Sequence, residues 1–117
     1  MSQFVEFLHE VFAEFGAIRS RRMFGGHGIY HDDLMFGLVA DDQLFMKTDP
    51  TSLPEFVAAG CVPFEFDKDG KKMKMPYYLA PEEIYDDPER ASYWANLSYS
   101  SALRSAAKQP SRRKKRN

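Results

Sequence analysis

What this 117-residue chain does without narrows its class. It has one cysteine, Cys61, so no internal disulfide framework holds it, and it fits a reducing compartment. No segment reaches the roughly 18 apolar residues of a membrane span. The opening Met-Ser-Gln-Phe-Val-Glu lacks the basic region and apolar run of a secretory signal. These absences predict a cytoplasmic protein with no membrane association. Basic charge is also scarce outside the C-terminus. Arg112, Arg113, Lys114, Lys115 and Arg116 supply 5 of the 16 basic groups, and residues 1–110 keep 11 basic against 17 acidic groups, a net of −6. An acidic body excludes an ordinary basic nucleic-acid-binding domain and assigns any such affinity to the tail or a local patch.

The residues that are present suffice for one domain with a core of its own. Apolar residues make up 44% and include ten Phe. Residues 3–15 read as an amphipathic helix, with Phe4, Phe7, Leu8, Val11, Phe12 and Phe15 at helical spacing. Ser2 is its expected N-cap and Gly16 its end. Strands are expected at Ile18–Phe24, Gly28–His31, Leu34–Ala40 and Gln43–Thr48, turned by Asp32-Asp33 and Asp41-Asp42. Leu34–Ala40 is apolar on both faces, which places it centrally in a sheet. Leu34, Phe36 and Leu38 are expected on one side of it, and Met35 and Val39 on the other.

A short helix follows, with Ser52 and Glu55 at capping-box spacing and Gly60 ending it. Val62, Phe64 and Phe66, then Met73, Met75, Tyr77 and Leu79, alternate with polar residues around Lys68-Asp69-Gly70, predicting a hairpin. Pro76 marks its second strand as an edge strand or one whose nitrogen faces outward. Asp87-Pro88-Glu89 opens a helix of about 20 residues with a weak stripe, Ala91, Trp94, Ala95 and Ala102 on one side and Tyr99, Leu103 and Ala106 on another. The expected class is α+β, with helices on an antiparallel sheet over residues 1–108. Residues 109–117 are expected to be a disordered basic tail.

No set of residues announces a chemistry. Gly25-Gly26-His27-Gly28 fits the G-x-x-G loop that clamps nucleic-acid backbones between two helices. Its flanks here are strand-like, so it reads as a turn or bulge. His27 and His31 share a strand face near Asp32 and Asp33 but lack a third ligand at fixed geometry. Cys61 has no neighbouring base, and the paired aspartates sit where turns and caps favour them. The sequence therefore predicts no catalytic residue, metal or cofactor. Arg19 and Arg21 on one strand face and Arg22 on the other are candidate nucleic-acid contacts, together with the tail.

The run Arg22-Met23-Phe24-Gly25-Gly26-x-Gly28-Ile29-Tyr30 resembles the signature of the TfoX/Sxy N-terminal domain family. Gly60-x-x-Pro63-Phe64-x-Phe66 and Met75-Pro76-Tyr77-Tyr78-x-x-Pro81 resemble later stretches of the same family. The match spans about residues 5–105 and implies a two-layer fold of helix, antiparallel strands, helix, two strands and helix. It also implies a link to regulators of competence genes, which carry a further helical domain, so a stand-alone member is expected. The expected function is a non-enzymatic regulatory or protein-interaction domain with an unidentified protein partner. The alternative is a nucleic-acid-associated protein working through its tail and Arg19–Arg22. An apolar sheet face left open by the helices also predicts a homodimer.

Overall fold

The structure, a computed structural model, describes residues 3–23 and 25–108. Helix α1 (Gln3–Val11) leads into strands β1 (Arg19–Met23), β2 (Gly26–His31), β3 (Leu34–Ala40) and β4 (Gln43–Lys47). Helix α2 (Leu53–Ala58) precedes β5 (Pro63–Lys68) and β6 (Lys71–Leu79), and a 3-10 turn (Glu82–Tyr85) precedes α3 (Pro88–Ala107). The six strands form one antiparallel sheet in the order β1-β2-β3-β4-β6-β5. The α+β class and the expected order of elements hold; the 3-10 turn, which buries Ile84, is an addition.

Three hairpins close through two-residue turns with positive φ at both positions: Asp32 (49°) and Asp33 (67°), Asp41 (53°) and Asp42 (56°), Asp69 (54°) and Gly70 (78°). This handedness matches the twist of the paired strands, and aspartate tolerates it better than most residues. Strand β2 starts at Gly26, two residues before the expected Gly28. A Cβ on Gly26 would lie 2.0 Å from the Val39 carbonyl oxygen, so bare backbone is needed there. Its neighbour Gly25 is required for a different reason, a φ of +78° in open space.

All three helices lie on one side of the sheet. Val5, Leu8 and Phe12 join Ile29, Phe36, Val39, Leu44 and Met46 from the strands and Phe56, Trp94 and Ala95 from the later helices in one buried cluster. A bulge corrects the expected faces of β3. Ile29 pairs with Gly37 and Tyr30 with Met35, so Phe36 is an extra residue between the two pairs. The alternation changes phase there. Leu34, Phe36 and Val39 therefore face the helices, while Met35, Leu38 and Ala40 face away. Nor is β6 an edge strand: it lies between β4 and β5. Pro76 is tolerated because β4 pairs only with Tyr77–Leu79, and because the β5 register slips between Pro63 and Phe64 as it passes Pro76.

Regular helix stops at Val11 rather than Phe15, although Gly16 N–H still reaches the Phe12 carbonyl at 3.0 Å. Phe7 lies outside the core, 40% exposed and stacked on Tyr85. The expected N-cap Ser2 is outside the described residues. Helix α2 ends in a Schellman arrangement, with Gly60 N–H donating to Val57 and Cys61 N–H to Phe56. Asp87 caps α3 as expected, accepting from Glu89 and Arg90 N–H. The weak stripe of α3 has a simple cause: its buried face includes Ser98 and Ser101, while Leu103 is exposed.

Those serines also explain why the capping box of α2 does not form. Ser52 makes no cap bond. Its hydroxyl accepts from Asp49 N–H at 3.1 Å and from the Ser101 hydroxyl at 2.8 Å. The Asp49 carboxylate takes Arg104 bidentately, at 2.6 and 3.0 Å, and accepts from Thr51 and Ser52 N–H. Glu55, the expected box partner, instead accepts from the Tyr93 hydroxyl. A buried carboxylate thus ties the β4–α2 connection to the last turns of α3. The Arg104 hydrogen bonds, working against the penalty of burial, hold Asp49 well below the usual carboxylate range.

Two stability outcomes follow from these contacts. Gly25→Ala should cost about 1–2 kcal/mol for left-handed backbone. Gly26→Ala should cost about 3 kcal/mol, the upper end for overpacking, because its clash is with backbone. Thermal unfolding of the two variants checks this order, and equal melting temperatures would refute it. Asp49→Asn should lose about 1–3 kcal/mol at pH 7. The native pKa of Asp49 is depressed, so its contribution is complete above the unfolded value of about 3.9 and is lost as pH falls below it. In urea titrations the gap between wild type and Asp49→Asn should therefore close from about pH 4 downward; a gap independent of pH would count against the assignment.

Candidate functional site

The face of the sheet opposite the helices carries a second apolar cluster. Leu38, Phe45 and Tyr77 are buried there, with Met23, Met35, Phe64, Met75 and Leu79 against them. No helix covers this cluster among the described residues. Burial comes from the curl of the sheet itself. Strands β4 and β5 are not neighbours, yet Phe45 and Phe64 bring their rings to 5.0 Å. Only Tyr77–Leu79 of β6 pair with β4, so the rest of the β5–β6 hairpin is an arm paired only with itself.

Between this arm and β1–β3 lies a groove of about 450 Å³. Met23, Met35, Leu38, Phe64, Phe66 and Met75 line it, with Lys68 as its charged wall residue. Methionine gives such a surface deformable, polarizable contacts. Phe66 and Met73 face each other in register on the arm and are 37% and 41% exposed. A smaller hollow of about 330 Å³ adjoins it at Gln43, Val62 and Pro63.

The polar groups on this face are mostly cationic. Register puts Arg19 and Arg21 on the side of Met23. Arg19 pairs with Asp33 at 2.8 Å, and Arg21 lies 5.9 Å from the centre of the Tyr30 ring. The Lys47 ammonium sits 5.3 Å from the centre of the Tyr77 ring, and burial lowers its pKa against the pull of Asp49. Burial, aided by the Tyr30 hydroxyl, pushes Tyr77 up to about 12, so its phenol stays neutral at physiological pH.

The motif around Gly25 divides between structure and groove. Met23, Gly28 and Tyr30 face the groove; a Cβ on Gly28 would come within 3.1 Å of both the Met23 and Met35 sulfurs. Ile29 is fully buried on the helix side, Gly25 and Gly26 shape the hairpin, and Arg22 is exposed on the face opposite Arg21. Phe24 and the five tail cations Arg112, Arg113, Lys114, Lys115 and Arg116 lie outside the described residues. His31 serves the core: its Nδ1 lies 2.7 Å from the Ala17 carbonyl and its ring packs on Phe15 and Tyr99. Among the described residues, no three His, Cys, Asp or Glu side chains group to hold a metal. Burial raises the Cys61 thiol, which lowers its thiolate fraction. Sequence reasoning missed Lys68, which it placed in the turn, as a groove residue. The alternation of Phe64 and Phe66 extends to it, but the curl that turns this face into a groove was not readable.

These features define a two-layer α+β domain with helices on one sheet face and an apolar groove on the other. The chain belongs to the TfoX N-terminal domain family, whose pattern matches residues 10–102. It is 25% identical over 95 residues to Protein Sxy of Escherichia coli (strain K12), a match covering 81% of this chain and 46% of that protein. The chain thus spans about half the length of the curated relative it matches.

Proposed function

We propose that this chain is a non-enzymatic regulatory domain of the cytoplasm that works by binding a protein partner in its groove, in the manner of a competence-gene regulator. The groove is the observation that carries this reading. A Met-lined apolar hollow suits side chains of another protein, and nothing in it resembles a nucleophile with its base. The groups with displaced pKa values are engaged internally: Asp49 with Arg104, Glu83 with Trp94 and Arg90, and Tyr77 by burial. No helix among the described residues is long and apolar enough to cross a membrane. Family membership supports the regulatory part of the reading.

The test is genetic. Deleting the gene should change a set of transcripts, and wild type should restore them. A Phe66→Asp/Met73→Asp variant, altered at an exposed groove residue and its exposed cross-strand partner and present at equal protein level, should not. Unchanged transcripts on deletion, or full complementation by the variant, would overturn the proposal.

A second reading rests on the edge strand, where Arg21 and Arg22 point to opposite sides and neither makes an ion pair among the described residues. With the acidic body repelling phosphate, nucleic-acid affinity would reside in the basic tail. Full-length protein should then bind duplex DNA at low salt more tightly than a form ending at Gln109. Equal binding would exclude the tail, and no binding by either would exclude this reading.

A further inference from the structure

The charges around the groove say what kind of partner fits it. On the back of the β5–β6 arm, opposite charges face each other in register, Glu65 with Lys74 and Asp67 with Lys72. On the groove side the register pairs Lys68 with Lys71, like charges directly opposite, an arrangement that destabilises a hairpin. Asp69 lies in the turn between them. Across the groove, Arg21 shares the sheet face of the lining residue Met23. Arg21, Lys68 and Lys71 make no salt bridge among the described residues, whereas Asp33 is taken by Arg19. The groove is therefore an apolar channel with an uncompensated positive rim in a chain whose body is acidic.

We propose that the groove receives an amphipathic helix of a different protein, whose apolar stripe is flanked by Asp and Glu. This rests on the reading of the chain as a protein-interaction domain and specifies the partner's chemistry. A helix stripe is the usual cover for a bare sheet face, as α1 and α3 show on the other side. Carboxylates along it would neutralise Arg21, Lys68 and Lys71 while its apolar residues meet Met23, Met35 and Met75. Charge decides against other occupants. A twofold dimer through this face would bring two positive rims together. The chain's own tail, with five cations and no acid, has the wrong sign. For single-stranded nucleic acid this face offers Phe66, 37% exposed, to stack on, with Phe45 and Tyr77 buried, and the experiment below separates that occupant.

The experiment uses the full chain and two synthetic helical peptides of about 15 residues. Both carry Leu at i, i+3, i+4, i+7 and i+11; one has Glu on the flanks and the other Lys. Fluorescence anisotropy should show the Glu peptide binding about tenfold or more tightly than the Lys peptide, with affinity falling as salt rises. Lys68→Glu/Lys71→Glu, changed at two exposed arm positions, should reverse the preference. Phe66→Asp/Met73→Asp should abolish binding while circular dichroism shows the fold intact.

Equal affinity for the two peptides, or no binding of the Glu peptide up to about 1 mM, would overturn the proposal. So would displacement of the Glu peptide by single-stranded DNA. Light scattering showing twice 13.5 kDa for the free chain, reduced to one chain by Phe66→Asp/Met73→Asp, would assign the groove to a second copy instead. Loss of charge preference alongside failed complementation by Phe66→Asp/Met73→Asp would reject the acidic partner and keep the interaction domain. Full complementation by that variant would reject both.

Discussion

One extra residue in β3 apportions the apolar side chains of this domain. With Phe36 inserted between the pairs Ile29–Gly37 and Tyr30–Met35, the strand changes phase midway. Phe36 then joins Leu34 and Val39 on the helix-covered side, while Met35 and Leu38 are left to the other. A regular strand would have sent Leu38 to the side of Phe36, because a shift of one residue inverts every side chain beyond it. Both the helix-side core and the groove floor depend on that inversion. Gly37 makes room for it: a Cβ there would crowd Ile29 at 3.3 Å and Leu44 at 3.2 Å.

Helix α3 is fastened to the connections and to α2 at two places of different chemistry. Near the start of α3, Trp94 donates to Glu83 at 2.6 Å and packs on Phe56 at 4.9 Å between ring centres. Near its end, Arg104 and Ser101 meet Asp49 and Ser52. Removing either partner of this ion pair, in which Asp49 is buried and Arg104 partly exposed, leaves polar groups without their hydrogen bonds, so the pair specifies where α3 lies as much as it stabilises it. With α3 fixed above β3 and β4 alongside α1, no helix among the described residues is left for the far side of the sheet. The groove follows from that one-sided arrangement and from the hairpin arm that curls beside it.

The family motif acquires a physical meaning in this setting. Gly25 and Gly26 answer two separate constraints, left-handed backbone at one and contact with the Val39 carbonyl at the other. Ile29 belongs to the helix-side core. Met23 lines the groove, with Gly28 and Tyr30 on the same sheet face. A run that reads in sequence as a glycine-rich loop is a hairpin whose alternation serves both faces of the sheet.

Much of the fold was set locally and could be read from the chain. Asp-Asp and Asp-Gly turns fixed three hairpins, Asp87-Pro88 fixed the start of α3, and alternation in residues 62–79 fixed which side chains of the arm face together. Short-range backbone preferences and periodicity suffice for such features. The bulge at Phe36, the diversion of Ser52 from its capping box, the interior place of β6 despite Pro76 and the burial of Ser98 and Ser101 were decided by tertiary structure. In each, a partner distant in sequence outweighed the local preference: β2 for Phe36, α3 for Ser52, the slipped β5 register for Pro76, and the sheet for the serines. The groove belongs with these. The arm's share of it was legible in the alternation of residues 62–79, but the bulge at Phe36 put Leu38 beside Met35, and whether helices cover that face and whether the sheet closes over it depend on how the layers pack, which no local stretch of sequence encodes.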